Sequence, residues 1–70
     1  MSITIIKEEI MANLSAKELS LINDSLNEEE LLVKKYKMLA EHSEDNETKM
    51  KLQEIASRHQ SHFDEIYSLL

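Results

Sequence analysis

The segment ASRHQSHFDEI places His59 and His62 three residues apart, and the segment NEEE places Glu29 well upstream of them. Three-residue spacing brings both imidazole rings to one side of a helix, within reach of a common partner. A carboxylate oxygen and neutral imidazole nitrogens coordinate divalent transition metals, with zinc, manganese and iron all chemically compatible. The same three side chains can instead form a charge-assisted hydrogen-bond cluster that fixes helix register with no metal bound. Residue types and spacing alone do not choose between the two.

Either chemistry needs two helices that return the chain on itself. Leu19, Ile22, Leu26, Val33, Tyr36 and Ala40 recur by threes and fours, the period of one helical stripe, and Glu29 falls on that stripe where another apolar residue would fit. A carboxylate at a helix seam needs hydrogen bonds, a cation or a metal to offset its lost water. Glu28 and Glu30 lie off the stripe and belong to solvent. Glu29 is therefore the informative member of the acidic run.

Ser15 and Glu18 have capping-box spacing ahead of Leu19 and Ile22, which predicts a break near Leu14 and a helix from there to about Glu41. EHSEDNE is short and polar and reads as a turn, with Ser43, Asp45 or Asn46 as cap of a second helix from Glu47 to about Leu69. That helix carries Leu52, Ile55, His59, His62, Ile66 and Leu69 toward the seam. Folding back around Glu44 sets Glu29 opposite His59, because a short connection makes neighbouring helices antiparallel. Glu30–Lys34, Asp45–Lys49, Glu47–Lys51 and Glu54–Arg58 have the acid-before-base spacing that supports exposed helices.

The predicted architecture is all-α: a long antiparallel helical hairpin over residues 15–70, preceded by an N-terminal arm or short helix over residues 1–14. The chain has 70 residues with no cysteine, glycine or proline, so disulfides cannot staple it and no strong backbone breaker interrupts its helices. A lone hairpin of this length leaves apolar flanks uncovered. Leu31, Leu32, Met38, Leu39, Met50, Phe63 and Leu70 widen the stripe, and a homodimeric four-helix bundle is the simplest closed way to bury them.

Other polar groups on the hairpin have weaker claims. Tyr36 follows Glu29 by seven residues on nearly the same face, so its ring supports the seam and its hydroxyl can reach a ligand carboxylate. Glu54 and Glu65 lie away from the histidine stripe and are expected in solvent, and His42 sits beside the turn. Ser57 and Ser61, though near the histidines, lack the orienting acid and pocket of a nucleophilic site.

The stretch LNEEELLVKKYKMLAEHSEDNETKMKLQEIASRHQSHFDEI resembles a helical hairpin of the ferritin-like superfamily, and is most similar to the spore coat F family. The likeness spans about Leu19–Leu70. Ferritin-like metal sites combine a glutamate on one helix with a glutamate–histidine pair at three-residue spacing on another, and a tyrosine often follows the first glutamate by seven. The resemblance gives those roles to Glu29, Tyr36 and His62. His59 stands where the paired glutamate is expected, a departure that lowers the carboxylate content and weakens an oxygen-activating assignment. What the resemblance implies is a packaging or coat-associated role.

Net charge of −6 opposes broad nucleic-acid attraction, and there is no arginine-rich tract or glycine-rich phosphate loop. No segment approaches the roughly 20 apolar residues needed to span a membrane, and the first residues lack the pattern of a secretory signal. A cytoplasmic location is expected, with spore or forespore association following only from the resemblance. The leading expectation is a small ferritin-like structural or protein-interaction module that homodimerises and engages a coat or adaptor protein, without nucleic acid or membrane insertion. The alternative is a protein binding a divalent transition metal through Glu29, His59 and His62, and after it a metal-dependent oxidoreductase, which would also need an open coordination position and a substrate path.

Overall fold

The computed structural model describes residues 14–70, so the expected arm or short helix over residues 1–14 lies, apart from Leu14, outside the described residues. Two helices fill this span: α1, Ala16–His42, and α2, Asn46–Tyr67, packed against each other as a hairpin. No strand occurs among the described residues. The all-α hairpin is as expected, with each helix bound within one or two residues of the sequence reading.

Local chemistry accounts for the bounds. Ser15 holds an extended backbone, φ −70° and ψ 160°, and its Oγ accepts from the Glu18 amide at 3.1 Å. The Ser15 hydroxyl also donates to Glu18 Oε1 at 3.1 Å, a side-chain variant of the reciprocal capping box. α1 ends at His42, where the Ser43 amide donates to the Ala40 carbonyl at 3.3 Å. Asp45 is the cap of α2: its Oδ2 accepts from the Thr48 amide at 2.8 Å and from the Thr48 hydroxyl at 2.7 Å. These two bonds, the hydroxyl first, hold the Asp45 carboxyl below its ordinary pKa of 3.8. Ser43 closes the turn by donating from its hydroxyl to the Asp45 carbonyl at 3.2 Å.

Two of the expected acid–base pairs form, Glu30–Lys34 at 3.1 Å and Glu47–Lys51 at 3.5 Å. Both are exposed and stabilise their helices by only a few tenths of a kcal/mol, roughly 0.2–0.5 each. Asp45 is occupied as the cap rather than pairing with Lys49, because the first amides of α2 need an acceptor and lie closer.

The seam has a heptad rhythm. On α1 the inward row is Leu19, Ile22, Leu26, Glu29, Val33, Tyr36 and Ala40, every one buried or half-buried. On α2 it is Lys49, Leu52, Ala56, His59, Phe63 and Ile66, with Leu70 following beyond the helix end. This corrects the expected second row at three places: Ala56, Phe63 and Leu70 take the inward positions assigned to Ile55, His62 and Leu69, which turn out to the flank. The cause is the Ala56 step. Ala56 at 3% exposure is a seam position, and continuing from it by three and four gives His59 and Phe63. Among the described residues only Leu26, Val33, Ala40 and Ala56 are buried below one-tenth exposure, so the core of the hairpin is a single thin line of side chains.

The two flanks of the seam differ. On one side Asn23, Glu30, Lys37, Gln53 and Gln60 are all exposed. On the other, Ser25, Leu32 and Ile55 are half-buried, and Leu39, His62 and Leu69 continue the same rows outward. From Ser25 onward the second flank carries no side chain of fixed charge in these rows, with Glu18 one heptad earlier at the start of α1, and this stretch is the apolar face of the hairpin. In an antiparallel pair the equivalent flanking rows of the two helices lie on the same side, so these residues form one continuous strip.

Candidate functional site

Glu29 comes from the middle of α1, and His59 and His62 come from successive turns of α2. The expected register holds: Glu29 meets His59 across the seam, where His59 Nδ1–H donates to Glu29 Oε2 at 2.7 Å. Both side chains are half-buried, 18% exposed for Glu29 and 23% for His59. His62 Nδ1 lies 3.7 Å from the other carboxylate oxygen, Oε1, on a side chain that is 52% exposed. Glu29 is therefore flanked by two imidazoles, one bonded to it and one standing off. One ligand atom from each of the three lies within 4.8 Å of the others.

Ring packing fixes the orientation of this cluster. The Tyr36 ring stacks on His59 with centroids 5.8 Å apart and planes within 12° of parallel. His59 and His62 meet edge to face, 5.7 Å between centroids at 80°. The sequence reading makes Tyr36 a support of the seam whose hydroxyl can also reach a ligand, and the structure places its ring against His59 in the supporting role. The stack confines the His59 ring between Tyr36 and its own helix and keeps Nδ1 turned toward Glu29. Lys35 Nζ stands 5.7 Å from the Tyr36 ring centroid and adds positive charge to the rim of the cluster.

The signal for the Tyr36–His59 stack lies in the sequence. Once Glu29 is set opposite His59, the next inward residue of α1 one heptad on is Tyr36, and a planar ring there has His59 within reach. Phe63 was the less visible participant. It occupies the seam one turn beyond His59, and its ring stacks with Tyr67 at 6.1 Å. By filling the inward position it turns His62 outward, so the cluster opens onto the apolar face of the hairpin instead of being closed within the seam.

The remaining candidates lie elsewhere. Glu54 and Glu65 are exposed, as is His42 at the end of α1. Ser57 lines a depression of about 370 Å³ on the polar side of the hairpin, with Lys37, Glu41, Lys49 and Gln53. A second depression of about 330 Å³, bordered by Glu30, Lys34 and Phe63, continues it through the shared residues Lys37 and Gln60. Neither contains Glu29, His59 or His62. Among the described residues no helix is long and apolar enough to cross a membrane.

The donor set is one carboxylate and two imidazoles, supplied by the two helices of the seam. Such a set hydrogen-bonds internally when empty and offers borderline-hard nitrogen and oxygen atoms to a divalent transition ion when deprotonated. No family model, curated protein or solved structure matches the chain. Functional assignment thus depends on the residues and their geometry.

Proposed function

We propose that this chain is a small helical interaction module that pairs with a second copy as a four-helix bundle and serves as a building element or adaptor in a larger assembly. The observation that carries this reading is the asymmetry of the hairpin. One flank of its seam is a neutral strip of Leu32, Leu39, Ile55 and Leu69, with Leu39 39% and Leu69 50% exposed, whereas the opposite flank is charged and amide-rich. A two-fold axis through the neutral strip makes it self-complementary, the requirement for a closed isologous dimer.

Two further considerations support a second copy as the occupant. The hairpin buries only four residues below one-tenth exposure, two of them alanines, and chains of this size without disulfides gain stability by association. Each chain also carries a net charge of −6, so copies repel unless they meet through a surface free of acidic residues. The strip of Leu32, Leu39, Ile55 and Leu69 is itself free of acidic residues, and Glu29 beside it is half-buried and bonded to His59. In such a bundle the hairpin has the ferritin-like form that its sequence resembles, and the same resemblance makes a spore coat the setting and a coat or adaptor protein the further partner. Leu31 and Met38, 66% and 52% exposed on the outer surface of α1, would stay available to that partner.

Sedimentation equilibrium of the full chain tests the reading, using wild type, Leu39→Asp and Gln53→Asp. The expected result is a wild-type dimer that Leu39→Asp converts to monomer, while Gln53→Asp, on the charged flank, leaves the dimer intact. A wild type that stays monomeric across the accessible concentration range, or a dimer that Leu39→Asp leaves unchanged, overturns it.

A further inference from the structure

The polar cluster on the apolar face is more than a register pin, and its extra property goes beyond the interaction module proposed above. We infer that Glu29, His59 and His62 form a mononuclear site for a borderline divalent transition cation of the zinc class, with at least one coordination position left open.

The geometry is the first support. One ligand atom from each residue lies within 4.8 Å of the others, and Glu29 Oε2 is already 2.7 Å from His59 Nδ1. Ligand bonds of about 2.0–2.1 Å in a tetrahedral arrangement separate neighbouring ligand atoms by about 3.3 Å. To accept an ion, the Glu29–His59 pair therefore opens by a fraction of an ångström, while His62 closes from separations of up to 4.8 Å. The seam permits both movements. His62 is 52% exposed and meets Glu29 at 3.7 Å, too far for a hydrogen bond, so its ring can turn without breaking a bond to that carboxylate.

The second support is the difference between the two histidines. His59 is half-buried, stacked on Tyr36 and bonded to Glu29, which makes Glu29 and His59 a preformed pair of ligands on opposing helices. His62 is the exposed third ligand at the mouth. Ion entry replaces the Nδ1–H···Oε2 bond by two metal–ligand bonds. Coordination through His59 Nδ1 moves the ring proton to Nε2 by exchange with solvent, so the neutral ring changes tautomer with no net loss of a proton.

The donor set selects the class of ion. Two imidazoles and one carboxylate suit zinc, cobalt and nickel, whereas calcium and magnesium favour shells built from oxygen ligands. Three protein ligands leave a tetrahedral ion one position for water or an incoming ligand. His62 itself stands on the apolar face, at the surface where a second copy would pack. Binding of the ion does not depend on that packing, since all three ligands come from one chain.

The test uses untagged full-length protein, first freed of metal with a chelator. Zinc chloride is titrated by calorimetry, cobalt chloride by its visible absorption, and calcium and magnesium chlorides serve as comparison ions. The variants are His62→Ala, Glu29→Gln, His42→Ala and Glu54→Gln, each checked by circular dichroism. The expected result is one zinc ion per chain, no saturable binding of calcium or magnesium, and affinity lowered at least about tenfold in His62→Ala and Glu29→Gln. His42→Ala and Glu54→Gln should bind as wild type does. His62 is exposed and hydrogen-bonds to no residue of the seam, so its alanine variant keeps the fold and the test stays decisive even if Glu29→Gln does not fold. Absence of saturable zinc binding, or zinc binding unaffected by His62→Ala, overturns the inference. The outcome is separable from that of the dimer proposal, because a monomer can bind the ion and a dimer can form without it.

Discussion

Glu29 and His59 are 30 residues apart in sequence and 2.7 Å apart across the helix seam. The contact sets the register of the hairpin. Sliding one helix past the other by a single turn would move Glu29 away from the imidazole and toward apolar seam residues, leaving a carboxylate with neither water nor a partner. Apolar residues at the same two positions would pack in several registers. The polar pair thus contributes uniqueness as much as stability, the role best established for single polar residues at helix seams.

The first prediction follows from that role. His59→Leu leaves Glu29 half-buried without its hydrogen-bond partner and should lower stability by about 1–3 kcal/mol, measured by urea denaturation. Glu29→Leu combined with His59→Leu should recover most or all of that loss, because two well-packed apolar residues replace a half-buried polar pair with little penalty. The double variant should nevertheless show broadened amide resonances from more than one helix register. Equal stability of His59→Leu and wild type would remove the pair from any structural role.

Acid sensitivity at the turn gives the second prediction. Asp45 caps α2 through its bonds to the Thr48 hydroxyl and amide, and these hold its carboxyl below its ordinary value of 3.8. A carboxyl whose folded pKa is depressed contributes stability that is complete above the unfolded value and disappears as pH falls through the folded value. The Asp45 contribution is therefore present above pH 3.8 and lost at progressively lower pH. Asp45→Asn keeps a good helix cap but has no proton to gain. The melting-temperature advantage of wild type over Asp45→Asn should shrink as pH drops below 3.8, and an advantage independent of pH would contradict the assignment.

Much of this arrangement is readable from the residues. The Ser15–Glu18 spacing marks the start of α1, the polar EHSEDNE segment marks the turn, and folding about Glu44 pairs Glu29 with His59. Local signals suffice there because a cap or turn is decided within a few residues. The position of His62 is not decided locally. HQSHF offers His62 and Phe63 as neighbouring continuations of the stripe, and only the close approach of the helices at Ala56 selects Phe63 for the seam. The cluster was legible as a set of three residues, but not as a pair in the seam with a third at the mouth.

Ala56 supplies the last prediction. It is 3% exposed, as is Ala40, and both lie in the half of the hairpin nearest the turn, where the short connection holds α1 and α2 close. Both also border the depression on the polar side, so a side chain larger than methyl stays in the seam only by displacing its neighbours. Ala56→Leu forces the helices apart or into strained rotamers, which typically costs about 1–3 kcal/mol. Spreading them at Ala56 also disturbs His59 one turn away and so weakens the Glu29 contact as well as the core. Glu54→Leu, on the exposed outer surface of the same helix, adds the same side chain without entering the seam and should stay within about 0.5 kcal/mol of wild type. Urea denaturation of the two variants at equal protein concentration checks the contrast. If Ala56→Leu proved as stable as Glu54→Leu, close approach at Ala56 could not be what turns Phe63 inward and His62 out.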